Sequence, residues 1–178
     1  MNKIVLISGH ARSGKDYIAE KLKNYIINDQ HKTCLIIHYA DALKDFCRIN
    51  FNYKGIKDQR EREMLQTVGT DIGRKNYEDV WVDIVIALIK GVGCEYDYIL
   101  IPDARFPNEI QKIESTFGKD KIKTVRVSRV GEKSDLTDKQ KHHQSETALD
   151  NWKFDIIVYN YEEDGYTTIS TLYSDILQ

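Results

Sequence analysis

Apolar runs recur along the chain, each bounded by polar or turn-forming residues. They are KIVLIS at 3–8, TCLIIHY at 33–39, YDYILIP at 96–102, IKTVRVS at 122–128 and FDIIVYN at 154–160. Most are continuous rather than alternating, the pattern of strands buried on both faces of a parallel sheet. Between them, apolar residues recur at helical spacing. Ile18, Leu22, Tyr25 and Ile26 mark one stripe. Met64, Leu65, Val68 and Ile72 mark another, expected to be the buried side of its helix. A last helix is expected over 166–177. Alternating strands and helices predict an α/β domain of three layers, with about five parallel strands, helices on both faces and right-handed crossovers.

Two segments break the rhythm. VWVDIVIALIK at 80–90 is apolar nearly all round. It is short for a membrane span and interrupted by Asp83, so a buried helix is expected. Burial within one chain or contact with a second copy would each account for it. Residues 129–151, RVGEKSDLTDKQKHHQSETALDN, are polar and poor in core residues. A connection this long in a compact domain is a functional lid or is disordered.

Composition narrows the field. The 178 residues are 41% hydrophobic and 30% charged, which suits one domain, residues 1–178, with a sizeable core. A net charge of −2 gives no footing for a nucleic-acid polymer as partner. Cys34, Cys47 and Cys94 are odd in number and widely spaced, which favours a reducing, cytoplasmic setting over a disulfide framework. The first apolar run is too short for a signal peptide or a membrane anchor.

GHARSGKD at 9–16 supplies the first chemistry. Seven of its eight positions fit G-x-x-x-x-G-K-[ST], and it follows a predicted strand and opens a predicted helix. In such a loop Gly9 and Gly14 let the backbone turn, and the N–H groups of Ala11 to Tyr17 face a phosphate. The helix N-terminus adds its positive end. Lys15 would bridge the β- and γ-phosphates of ATP, and Arg12 could reach the same anion. An ordinary glycine turn with Lys15 solvated is the bland alternative. The eighth position, Asp16, replaces the usual hydroxyl. A carboxylate is a good hard ligand for Mg2+, so Asp16 is expected in the magnesium shell, chiefly through water.

Asp103 ends the run YILIPDARF. An acid there is either a magnesium-holding aspartate or a helix N-terminal acid, since Pro107 is expected to start a helix. Arg105 is a phosphate fork or a surface ion pair. In REREMLQTVGTDIGR, Arg62, Gln66, Gly69, Thr70 and Gly73 share a second helical side. Two glycines inside a helix cost about 1 kcal/mol each relative to Ala. Either a ligand or a packed helix would make that cost worthwhile. Gln66 could then read a base edge and Arg74 could meet a phosphate. His142 and Glu146 are four apart but lack a third ligand for zinc. His142 and His143 are expected to be solvated. Arg129, Lys133 and Lys141 could close over phosphates.

Taken together, SGHARSGKDYIAEKL, LQTVGTDIGR with VWVD, IPDARFPNEI and HQSETALDN with FDIIVYN resemble the deoxynucleoside monophosphate kinases of bacteriophages and bacteria. The likeness spans nearly the whole chain in the same order. The loop is generic, but GTDIGR and DARFPNE are much more specific. A second family is similar. Phosphomevalonate kinases share an SGKD loop and an acidic segment resembling Ser145, Glu146, Leu149, Asp150, Asn151, Phe154 and Asp155.

Either resemblance implies a P-loop kinase fold, ATP and Mg2+, and transfer of the γ-phosphoryl group to a phosphate monoester. It implies Lys15, Arg12, Arg105 and Arg129 as the catalytic cations. The acceptor would meet Asp41, Lys44, Gln66, Thr70, Arg74, Asp103, Arg105 and Glu109, with Asn108 beside them. Asn160 and Tyr161 would lie near the adenine. The setting implied is bacterial or phage-infected cytosol. A nucleotide-binding module without turnover is the reading outside enzymes.

Overall fold

The computed structural model describes residues 3–56, 58–129, 136–160 and 165–177. In chain order these form β1 (Lys3–Ser8), α1 (Lys15–Asn28), β2 (Cys34–Ile36), α2 (Ala40–Phe51) and α3 (Gln59–Gln66). Then come α4 (Val80–Val92), β3 (Tyr98–Ala104), α5 (Pro107–Phe117), β4 (Ile122–Arg129), α6 (Asp138–Lys141), α7 (Gln144–Thr147), β5 (Ile156–Asn160) and α8 (Gly165–Leu177). The strands form one parallel sheet in the order β2-β3-β1-β4-β5. All five apolar runs are strands, and the three-layer α/β architecture is the one their continuity predicts.

Alternation along β1 builds both layers of core. Val5 and Ile7 pack with Ile18, Leu22 and Ile26 of α1 and with Leu172 and Ile176 of α8. Ile4 and Leu6 pack on the opposite face with Val82, Val85 and Ile89 of α4 and Ile110 and Ile113 of α5. Burying an aliphatic side chain of this size contributes about 1.5–3 kcal/mol. The sheet is therefore the rigid platform, and its carboxyl edge carries the loops.

Three expectations need correction. The run 33–39 yields only a short β2. Cys34–Ile36 pair with Tyr98–Leu100. Beyond them the N–H groups of Tyr39 and Ala40 leave the ladder and donate to Asp103 at 2.9 Å each.

The stripe Met64, Leu65, Val68 and Ile72 is not the buried side of its helix. Ile72 is 53% exposed, whereas Glu61, Gly69 and Arg74 are buried. The reason is local: α3 runs into a π-helical segment, Thr67–Arg74. Its wider turn closes i to i+5, so a count based on 3.6 residues per turn drifts out of phase.

The helix at 80–92 is not buried all round. Val82, Val85, Ile86 and Ile89 face the core, while Ile84, Leu88 and Val92 form an outward apolar stripe. Among the described residues, no helix is long and apolar enough to cross a membrane.

Candidate active site

The loop between β1 and α1 lies at the carboxyl edge of the central strand, where open α/β sheets place their ligands. Gly14 has φ 92°, and a Cβ there would lie 2.1 Å from Asn160 Nδ2. Both the left-handed backbone and the close approach demand glycine. The Asn160 amide donates to the Ser13 carbonyl at 3.1 Å, tying the end of β5 to the loop. Asn160 thus lies beside the phosphate loop. Tyr161 and Lys133 lie outside the described residues.

Lys15 is folded back over its own loop. Its Nζ donates to the carbonyls of Gly9 at 2.9 Å and His10 at 2.8 Å. Burial, and then the nearby Arg105 cation, pull its pKa down to about 8, against the pull of Glu146, Asp16 and Asp103.

Glu146 reaches into the same place from α7. One carboxylate oxygen accepts from the Ala11 N–H at 2.8 Å, and the other pairs with Arg105, whose guanidinium also donates to the Ser145 carbonyl. An oxyanion therefore sits on a loop amide and an arginine, as a phosphate oxygen would. Burial works to raise the Glu146 pKa, but Arg105, the Ala11 N–H and Lys15 outweigh it and hold it low.

The polar segment is not loose over its described part. Leu136, Gln140 and Leu149 are buried, and α6 and α7 span most of 138–147. Asp150 holds His10 and Arg126 at 2.7 Å each, and Asp155 accepts from both the N–H and the hydroxyl of Thr124. Three acids of one stretch, Glu146, Asp150 and Asp155, dock it onto the phosphate loop and β4. His143 is not solvated as expected. Its Nδ1 contacts Ser145 Oγ at 2.9 Å, and its side chain is 15% exposed. His142 is exposed.

Asp103 resolves its two alternatives in an unforeseen way. It is a helix N-terminal acid, but for α2: its two oxygens take the N–H groups of Tyr39 and Ala40, joining the end of β3 to the start of that helix. Glu109 performs the corresponding task at α5. It accepts from the N–H groups of Arg105 and Phe106 and pairs with Arg74. Burial pushes the Glu109 carboxyl up, to about 7, against the Arg74 cation. Arg74 also donates to Asn108 and to the Glu78 carbonyl, and its guanidinium lies 4.0 Å from the Phe106 ring centroid. Both glycines of the π segment serve packing. A Cβ on Gly69 would lie 2.5 Å from Leu43 Cδ2, and one on Gly73 would lie 3.2 Å from Trp81.

A cleft of about 590 Å³ joins these parts. One end holds Ala11, Arg12, Gly14, Lys15, Asp16 and Tyr17 of the loop, with Asp103, Arg105 and Arg129 from the neighbouring strand ends. Lys44, Gln66, Thr70, Arg74 and Glu109 line it as well. Gly9, Ser13, Asp41 and Asn160 are not among its lining residues.

Several lining residues are not singled out as site residues by the linear pattern. His38 lies between two acids, 3.7 Å from Asp16 and 3.3 Å from Asp41. Asp16 raises its pKa most; burial opposes this, and Asp103 and Asp41 add to it. Glu61 and Trp81 are two more, one lying at a charged helix position and the other within an apolar run.

Among the described residues, no group of three or more His, Cys, Asp or Glu side chains is arranged to hold a metal ion. Mg2+ accompanying a nucleotide needs only one or two carboxylates besides phosphate and water. Asp16 fits that demand. It is 71% exposed and opens the helix beside the loop.

No family model matches the chain. A phosphomevalonate kinase of Drosophila melanogaster is 28% identical over 146 residues, covering 72% of this chain and 68% of that protein. Among solved structures, the Mycobacterium tuberculosis APS kinase in complex with AMPPNP and APS superposes with a TM-score of 0.53 at 10% identity, over 99% of this chain and 98% of that one. A gluconokinase from Sinorhizobium meliloti gives 0.50 at 13% identity, over 99% and 91%. Chaetomium thermophilum Kti12 in complex with ADP-AlF3 gives 0.52 at 10% identity, over 98% and 97%. The fold is that of the P-loop kinases, and the sequence relative is itself a kinase.

Proposed function

We propose that the chain transfers the γ-phosphoryl group of ATP to the phosphate of a deoxynucleoside monophosphate, giving the deoxynucleoside diphosphate and ADP. The observation that carries this reading is the make-up of the single cleft described above. From the phosphate loop it passes to a chamber walled by Tyr53, Leu65, Trp81 and Phe106, with Gln66 and Thr70 as its neutral polar groups. Aromatic and apolar walls with a few hydrogen-bonding groups suit a flat heteroaromatic base.

The chemistry asks little of a base catalyst. A phosphate monoester has its second pKa near about 6, so at neutral pH the attacking oxygen is already unprotonated. The protein must supply alignment, positive charge and exclusion of water. The loop N–H groups cradle the donor phosphates. Lys15 leaves the carbonyls of Gly9 and His10 to meet the β- and γ-phosphates, and Arg12 and Arg129 approach from the two sides. Arg105 exchanges Glu146 for the transferring phosphoryl group. Lys44, with Asp41 beside it, faces the acceptor phosphate, and Arg74, braced by Glu109 and Asn108, closes that side. Asn160 lies toward the adenine. Asp16 would hold the Mg2+ that accompanies ATP through its water shell, with Asp103 behind, and the ion would supply positive charge to the phosphates.

A second reading is phosphomevalonate kinase, favoured by the Drosophila relative and by the segment Ser145 to Asp155. The test is ADP release from ATP with dGMP, dTMP, dCMP, dAMP, the ribonucleotides and phosphomevalonate. Turnover is expected with one or more deoxynucleotides. Turnover with phosphomevalonate alone would overturn the proposal, and ATP binding without any accepted substrate would favour a module that only binds.

A further inference from the structure

Glu61 is a buried acid that nothing among the described residues completes. It lies in the first turn of α3, is 7% exposed and lines the cleft. Its backbone N–H is capped by Asp58 at 2.8 Å. Its Oε1 accepts from the Lys54 N–H at 2.5 Å. Its Oε2 is buried and has no hydrogen-bond partner among the described residues. A buried polar atom left in that state is destabilising, more so when the group is charged, so a partner is expected from outside. The neighbours fit that view. Tyr53, Ile56, Leu65 and Gln66 line the same chamber, and Asp58 and Arg62 flank Glu61 on α3 and its cap.

We propose that Glu61 reads the base of the acceptor, and that guanine is the base it selects. This rests on the deoxynucleotide reading above. Oε2, which the protein covers in this structure, accepts an N–H from the base once the Glu61 side chain turns toward the cleft, and Oε1 has a second lone pair beyond the one that takes the Lys54 N–H. Guanine alone among the four common bases offers two adjacent donors on one edge, the ring N1–H and the exocyclic amine. That edge matches a carboxylate with both oxygens in play. Adenine and cytosine offer an amine next to a ring-nitrogen acceptor. Thymine offers one N–H between two carbonyl oxygens, which would face the carboxylate. An acceptor carrying its own carboxylate, as phosphomevalonate does, would be repelled in the same place. A site built to hydrogen-bond its substrate rejects an analogue lacking the donor far more strongly than an apolar pocket rejects a missing methylene.

The experiment compares kcat/KM for dGMP, dIMP, dTMP, dAMP and dCMP at saturating ATP, in the wild-type chain and in Glu61→Gln. Gln keeps the acceptor for Lys54 and turns the other oxygen into a donor. The wild type is expected to prefer dGMP over dIMP, which lacks only the exocyclic amine, by about tenfold or more, and over dTMP by about a hundredfold or more. Glu61→Gln is expected to lower the dGMP-to-dTMP ratio at least about tenfold. A wild type that does not favour dGMP over dTMP and dIMP overturns the assignment, as does a variant that slows all five substrates equally. The dGMP and dIMP comparison needs no variant, so it decides even if Glu61→Gln does not fold. Failure of the functional reading looks different: no deoxynucleotide is turned over at all.

Discussion

The two ends of the cleft are built on opposite terms. At the phosphate loop several polar groups already have partners from the chain, although Ser13 Oγ is buried without one among the described residues. Lys15 holds two carbonyls, Glu146 holds the Ala11 N–H and Arg105, and Asn160 holds the Ser13 carbonyl. At the other end Glu61 has a buried oxygen with no partner among the described residues, and Tyr53, Ile56, Leu65 and Trp81 line the cleft alongside the charged Asp58 and Arg62. The difference follows from what each end must meet. A triphosphate brings several negative charges, which suits a loop of N–H groups at a helix N-terminus with Lys15 and Arg105 beside it. A base brings one or two hydrogen bonds and a large flat face, so a single unpaired acceptor among apolar and aromatic side chains suits it.

The largest break in that comparison comes from the donor end. Lys15→Met removes the cation that would follow the phosphates, and turnover is expected to fall by about a thousandfold or more. ADP release with saturating acceptor measures it, and a variant within tenfold of wild type would remove Lys15 from the chemistry. A smaller break belongs to the acceptor end. Gly69→Ala puts a Cβ against Leu43. Overpacking outweighs the helix preference of Ala, for a net destabilisation of about 1–2 kcal/mol in denaturant unfolding. In a Leu43→Ala background the same change should be neutral or stabilising, because the contact is gone.

The smallest effect sharpens the picture of Lys15. With its free-state pKa held near about 8, it is charged at pH 7 with or without ATP. Bound triphosphate favours the ammonium and raises that pKa. ATP binding should therefore take up a proton above pH 8, and affinity should weaken by about tenfold per unit until the raised pKa is passed. Calorimetry in two buffers of different ionisation heat reads the uptake, which Lys15→Met should abolish. Uptake at pH 7 but not at pH 9 would contradict the burial that depresses this lysine.

What could be read from the chain was local. The strands appear as continuous apolar runs because both of their faces are covered, and the phosphate loop appears as a spacing because its geometry closes within eight residues. The second end of the cleft resisted such reading. A π-helical turn shifted the phase of 67–74, so Ile72 points outward and Gly69 inward. For Gly69 and Gly73 the sequence leaves ligand approach and helix packing equally open, and the fold sets them against Leu43 and Trp81.

Asp103 marks the same boundary. Its place at a strand end was visible, yet its partners lie more than sixty residues away at the start of α2. Glu146 has no assigned contact in the sequence, where it lacks the companions of a zinc ligand, and folding sets it 2.8 Å from the Ala11 N–H. The sequence by itself determined the α/β layering and the phosphate loop, because periodicity and short-range turn geometry are properties of neighbouring residues. Only the tertiary structure decided which acids touch the loop, which face of the 59–74 helix lines the cleft and which buried polar atoms are left unpaired. Those depend on groups far apart in the chain meeting where water is excluded, and there a single unpaired atom carries a cost that the linear pattern does not record.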